Sequence, residues 1–313
     1  MTLLSLESAA KNLCIKTGGF VPTTFGLQVL RERLVLEQKQ SVYLHPVKFI
    51  DEIVEVPELP AIKLRIMLPV DVKKDEKLPV LLYIHGGQFV TGDAITYNKL
   101  LRELTQRARV CLLFPEYSLA PEYKAPTQLR QIETVYDKLT DFATRYPLDL
   151  KRILVTGDDV GGGLAVSLGL AIKKKQLPIY KMLLFYPVVN AYFDTQSYVS
   201  FAGGYYLTRE QMKWSYKQYH GLIDMEDTCI SPLRATLEDL RNLPETLIIT
   251  AEADVVRDEA ESLARKMRDA GVNVSQIRFQ GIIHDFVSLH ILDKTNACRL
   301  AMNIAVDWLK YAE

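Results

Sequence analysis

Short apolar runs punctuate the whole chain, with helix-patterned stretches between them. The runs are 61–69 (AIKLRIMLP), 79–84 (PVLLYI), 109–114 (RVCLLF), 152–156 (RILVT), 181–186 (KMLLFY), 246–251 (TLIITA) and 274–279 (VSQIRF). Helical patterning falls near 96–108, 126–145, 161–175, 234–242, 257–270 and 296–311. Runs that are apolar on both faces and spaced by helices predict strands covered on each side, hence a parallel sheet between helical layers. The fold class is therefore α/β: a doubly wound, mostly parallel central sheet flanked by helices.

Two segments stand outside the alternation. Residues 1–45 carry helix-like stretches (3–13 and 25–39) before any strand, and 188–228 is long for a connection in a compact domain. Both are expected to form a cap over the strand ends, giving an N-terminal cap segment at 1–45 and a core at 46–313 with an insertion at about 188–228.

Charge narrows the function classes. Thirty-eight basic residues balance 38 acidic ones, so no field draws the chain to nucleic acid or an anionic membrane. Cys14, Cys111, Cys229 and Cys298 are far apart and form no CxxC or Cys/His cluster, which points to reduced thiols, no metal and a cytoplasmic setting. MTLLSLESAAKNL lacks the basic start and long apolar core of a signal peptide. No run approaches the roughly 18 apolar residues of a membrane span.

Four motifs carry chemistry. His85-Gly86-Gly87-Gln88-Phe89 follows the strand PVLLYI, where two glycines let consecutive N–H groups turn toward one point. Gly157-Asp158-Asp159-Val160-Gly161-Gly162 lies between the strand RILVT and a helix. Small residues there permit a sharp turn that thrusts the central side chain outward at a helix N-terminus. A phosphate loop is the competing reading, but no Lys-Ser/Thr follows and two aspartates would repel phosphate. Glu252-Ala253-Asp254-Val255-Val256-Arg257-Asp258-Glu259 follows TLIITA, and Gly281-Ile282-Ile283-His284-Asp285-Phe286 follows the last strand. Alone, Asp254 would read as a helix cap and His284 as a loop histidine.

In their order these stretches resemble the hormone-sensitive-lipase-like esterases of the α/β-hydrolase superfamily, whose pattern runs HGGG, GDSAGG, a D-P-L-R-D-E type segment, then HGF. The corresponding stretches are HGGQF, GDDVGG, DVVRDE and HDF, and EYSLAPE (116–122), FYPVV (185–189), FAGGYYLTREQM (201–212) and SPLRA (231–235) match as well. The resemblance extends from about residue 40 to the end. It implies an oxyanion hole from the N–H groups of Gly86, Gly87 and Val160, His284 as general base, Asp254 as its orienting carboxylate, no cofactor, and a small apolar ester as ligand; a homodimer is expected only by analogy. Gln88 takes the place of a glycine, and Asp285 adds a carboxylate beside the base.

The resemblance breaks at Asp159, which stands where the nucleophilic serine belongs. A carboxylate attacking an ester gives a mixed anhydride that the departing alkoxide reopens. Three readings remain: a hydrolase of small esters or related bonds, a silent small-molecule binder, and an Asp-nucleophile hydrolase of an epoxide or alkyl halide, with Tyr205 or Tyr206 serving the leaving group. A serine replaced by design would give the same sequence.

Overall fold

The computed structural model describes residues 4–17, 22–173, 175 and 177–310. In chain order the first elements are α1 (Ser8–Thr17), α2 (Pro22–Glu37), β1 (Val47–Val56), β2 (Leu59–Pro69), β3 (Leu78–Ile84), α3 (Asn98–Ala108) and β4 (Cys111–Glu116). The middle holds α4 (Thr127–Asp137), α5 (Leu139–Ala143), β5 (Leu148–Asp158), α6 (Asp159–Ile172), β6 (Lys181–Phe185), α7 (Gln196–Ser200) and α8 (Arg209–Tyr219). Then come α9 (Leu237–Leu240), β7 (Glu245–Ala253), α10 (Arg257–Asp269), β8 (Val274–Ile283) and α11 (Asn296–Lys310).

The strands make one eight-stranded sheet in the order β1-β2-β4-β3-β5-β6-β7-β8. From β4 to β8 every neighbouring pair is parallel, while β1–β2 and β2–β4 are antiparallel. The expected α/β architecture is present. The central strands read as unbroken apolar runs because helices cover both faces: Val80, Leu81, Leu82, Ile153, Val155, Leu183 and Ile248 are all buried. Each such side chain stabilises the fold by roughly 1.5–3 kcal/mol relative to exposure.

The departures from expectation have local causes. Strand β1 was not expected; it is an edge strand whose Lys48, Asp51, Glu52 and Glu55 interrupt the apolar pattern, and Phe49, Ile50 and Ile53 stay exposed. The stretch 126–145 is two helices, and 234–242 shrinks to a 3₁₀ turn plus the single turn of α9. The first helix starts at Ser8, because Glu7 serves elsewhere: its N–H donates to the Gly281 carbonyl at 2.8 Å, and its carboxylate accepts from Asn296 and Ala297 N–H at the start of α11. Residues 3, 174 and 311, which expected helices reach, lie outside the described residues.

Helix α2 meets the segment that follows β6. The Tyr206 hydroxyl donates to Glu37 at 2.8 Å, and the Gln38 amide reaches the carbonyls of Thr96 and Ser288. No helix among the described residues is long and apolar enough to cross a membrane.

Candidate active site

The motif residues gather at the carboxyl ends of the parallel strands: His85 follows β3, Asp159 follows β5, Asp254 follows β7 and His284 follows β8. That edge is where an open α/β sheet presents its crevice.

The turn from β5 into α6 is sharp. Asp158 is still extended (φ −116°, ψ 155°), and Asp159 takes a left-handed φ of +50° as the first residue of the helix. Such a backbone is strained for any residue but glycine, by about 1–3 kcal/mol. The first turn of α6 lies directly on the end of β3. A Cβ at Gly161 would come within 2.1 Å of the Ile84 carbonyl oxygen, so only glycine fits there. The Asp159 side chain is buried, 1% exposed.

His284 is the second fixed point. Its Nδ1 lies 2.7 Å from Asp254 Oδ2, and the other Asp254 oxygen accepts from Val256 N–H at 3.1 Å, which anchors the carboxylate. Its Nε2 faces Asp159 Oδ1 at 3.4 Å and Asp285 Oδ1 at 3.7 Å. These are ion-pair contacts; neither Nε2 nor Asp159 Oδ1 has a hydrogen-bond partner among the described residues. Burial opposes charge on the ring, but Asp254, Asp285 and Asp159 outweigh it and lift the His284 pKa well above the ordinary histidine value. The site therefore favours the charged form of the ring.

The loop after β3 supplies the amides. Gly87 has φ +80°, and a Cβ there would strike the Thr91 carbonyl oxygen at 2.3 Å. The Gly86 N–H, expected among the oxyanion donors, points instead to Asp158 Oδ1 and to the Tyr97 hydroxyl, each at 3.1 Å. The amide that meets position 159 belongs to Gln88, which donates to Asp159 Oδ2 at 2.7 Å. Val160 follows Asp159 in the first turn of α6, whose amides have no partner within the helix.

Asp158 organises this loop from below. Its carboxyl group accepts from the hydroxyls of Tyr83 and Tyr97, both at 2.8 Å, as well as from Gly86 N–H. Complete burial pushes its pKa up to about 7 although those donors pull the other way. Nothing local in the sequence marks the parts played by Gln88, Tyr83 and Tyr97. The Gln88 side chain breaks the glycine pattern, whereas its contribution is the backbone N–H. The tyrosines sit on or after core elements with no local signal.

Tyr205 and Tyr206 do not face the elbow carboxylate as leaving-group donors. Tyr206 gives its hydroxyl to Glu37, and Tyr205 packs edge-on against Phe201 at 5.1 Å. The cavity beside the site measures about 30 Å³, room for a water or two, and its lining includes Arg33, Glu37, Gln88, Tyr206, Gln211 and Asp285. Leu30 and Leu34 of α2 supply apolar wall beside these polar groups. Among the described residues no group of three or more His, Cys, Asp or Glu is placed to hold a metal ion.

Comparison with known proteins agrees with this fold. The family model for the alpha/beta hydrolase fold matches residues 81–288. The solved structure of a thermostable esterase from Pseudomonas putida superposes with a TM-score of 0.93 at 33% identity, covering 99% of each chain. The putative alpha/beta hydrolase R526 of Acanthamoeba polyphaga mimivirus is 39% identical over 75% of this chain and 68% of its own. An ethyl acetate hydrolase of Pseudomonas putida is 32% identical over 67% of this chain and 66% of its own.

Proposed function

This chain belongs to the hormone-sensitive-lipase-like family of α/β hydrolases, related to esterases, and on that basis we propose that it is a silenced member: a hydrolase frame whose ester-cleaving centre is plugged by its own Asp159 and which keeps a small crevice beside it. The observation that carries this reading is the placement of one carboxylate against both groups an ester would need. Asp159 Oδ2 occupies the Gln88 N–H at 2.7 Å, and Oδ1 faces His284 Nε2 at 3.4 Å. The Gln88 amide is thereby closed to a substrate carbonyl, and an imidazolium has no lone pair with which to take a proton. Loss of a triad nucleophile lowers kcat by about 10⁶, and a mixed anhydride that the alkoxide reopens gives aspartate no way to recover it.

The test is hydrolysis of p-nitrophenyl acetate and butyrate by the protein, by Asp159→Ser and by Asp159→Ala, followed up to alkaline pH. We expect the first and third near background and the serine variant faster by at least roughly 10²-fold. Turnover by the unaltered protein equal to that of Asp159→Ser would sink the proposal.

One observation favours a second reading. With Oδ2 on an amide and Oδ1 unbonded, Asp159 is arranged to attack a saturated carbon. With an epoxide, Oδ1 would form the new C–O bond, the ring C–O bond would break, and the ring oxygen would take the His284 proton. Neutral His284 would then draw a proton from water as hydroxide adds to the ester carbonyl. Collapse would release the diol, protonated by His284, and the Asp159 acid proton would return to the imidazole. Turnover of styrene oxide in H₂¹⁸O that labels the Asp159 peptide supports this route; an unlabelled peptide after turnover dismisses it.

A further inference from the structure

Two carboxylates face the same nitrogen of His284. Asp159 reaches Nε2 from the elbow, and Asp285 reaches it from the residue next to His284 itself, at 3.7 Å. The Asp285 position does not depend on Asp159. Its left-handed backbone (φ +62°) is fixed by a turn in which its carbonyl accepts from Ser288 N–H at 3.1 Å and Leu289 N–H at 3.0 Å. Its side chain is only 14% exposed.

Other groups around the pair do not neutralise this arrangement at Nε2. Asp254 is held on the opposite nitrogen, Nδ1. The ring of Tyr186, at the end of β6, lies 4.7 Å from the imidazole and carries no charge. Asp158, below the elbow, is engaged by Tyr83, Tyr97 and Gly86. Across the cavity from Asp285, α2 contributes Arg33 bound to Glu37 at 2.6 Å, and the Tyr206 hydroxyl turns to Glu37 as well. Three carboxylates thus surround one imidazolium in a buried space, an excess of negative charge that one of them relieves by keeping a proton. Asp285 is that one: burial, with Asp159 and Asp158 adding to it and His284 opposing, holds its pKa up to about 8.

Resting on the silenced-site reading, we infer that Asp285 is a second lock behind the first: when the Asp159 carboxylate is removed, the Asp285 carboxylate takes over as counter-ion at Nε2 and keeps His284 from acting as a base. Removing the Asp159 anion takes away one of the charges that raise the Asp285 pKa and leaves the His284 charge to lower it, so the ion pair transfers rather than disappears. Asp285 acts through His284 as a positioning residue. Restoring serine at the elbow alone leaves the base in its acid form at neutral pH.

The experiment compares Asp159→Ser with Asp159→Ser/Asp285→Asn. The pH dependence of kcat/KM for p-nitrophenyl acetate is followed together with the ¹⁵N titration of the His284 ring, assigned by its loss in His284→Gln. We expect the acid limb of the double variant to fall by at least about one pH unit, and activity at neutral pH to rise at least about tenfold. The His284 resonance should shift its midpoint in the same direction. The same midpoint in both variants, by rate and by resonance, overturns the inference while leaving the silenced-site proposal intact. Esterase turnover by the unaltered protein overturns that proposal instead, and the ¹⁵N titration still judges Asp285. If the asparagine variant fails to fold, Asp285→Gly replaces it, since glycine accepts φ +62° without strain.

Discussion

Replacing Asp158 with asparagine tests whether a buried acid below the elbow ties stability to pH. The side chain is fully buried and holds three donors, and its pKa stands at about 7 against an ordinary 3.8. A group raised on folding contributes its full stability below the unfolded value, and that contribution is lost as pH rises through the folded value. The window here runs from about 4 to 7. Each unit corresponds to about 1.36 kcal/mol, so ionising Asp158 weakens the fold by on the order of 4 kcal/mol across that window. Asparagine has nearly the same shape and never ionises. Its oxygen can accept from Tyr83 and Gly86, and its amide can donate to Tyr97, whose hydroxyl has a lone pair to offer. Urea unfolding of both proteins, at steps between roughly pH 4 and pH 8, gives two stability curves. The difference between them reports Asp158 together with its effect on Asp285, whose pKa its charge helps to raise. We expect the unaltered protein to lose several kcal/mol relative to the variant as pH rises. Parallel curves would refute the reasoning, and would mean that the tyrosine hydroxyls stabilise the carboxylate enough to offset its burial.

Two further substitutions probe the frame. Gly161→Ala places a Cβ 2.1 Å from the Ile84 carbonyl oxygen and 2.4 Å from that of His85, so the elbow must lift off β3. The expected loss is about 1–3 kcal/mol or more, read as a fall in Tm of several degrees, and an unchanged Tm would contradict the contact. Glu103→Gln breaks a buried cluster in which Glu103 meets Lys99 at 2.8 Å, Arg107 at 2.5 Å and Arg299 at 3.0 Å, while Lys99 also pairs with Asp293. With Glu103 and Lys99 almost wholly buried, removal of the anion is expected to destabilise by about 3–5 kcal/mol. A Tm within a degree of the original would show that Asp293 alone suffices for Lys99.

The sheet was legible in sequence wherever strands are buried on both faces, since such runs have no polar interruption to disguise them. It was illegible at β1, where an edge position lets charged residues alternate with exposed Phe49 and Ile53. The residues that converge at the strand ends were legible because short-range motifs encode turns. Which amide points where was not: Gly86 and Gln88 exchange their expected parts because the carboxyl group of Asp158 captures the first of them, a through-space event between two strands. The size and polarity of the cavity depend on Arg33 and Glu37 of α2, far away in the chain, and no local pattern announces them.

The side chain that replaced a glycine in the loop after β3 also has a mechanical consequence. Gln88 Oε1 accepts a hydrogen bond from the Ser215 hydroxyl at 3.1 Å, and Ser215 belongs to α8. A glycine there would leave that helix free to lift without disturbing the loop beneath it. Here the same residue grips the overlying helix with its side chain and Asp159 with its backbone, so that lifting α8 pulls on the amide that pins the carboxylate.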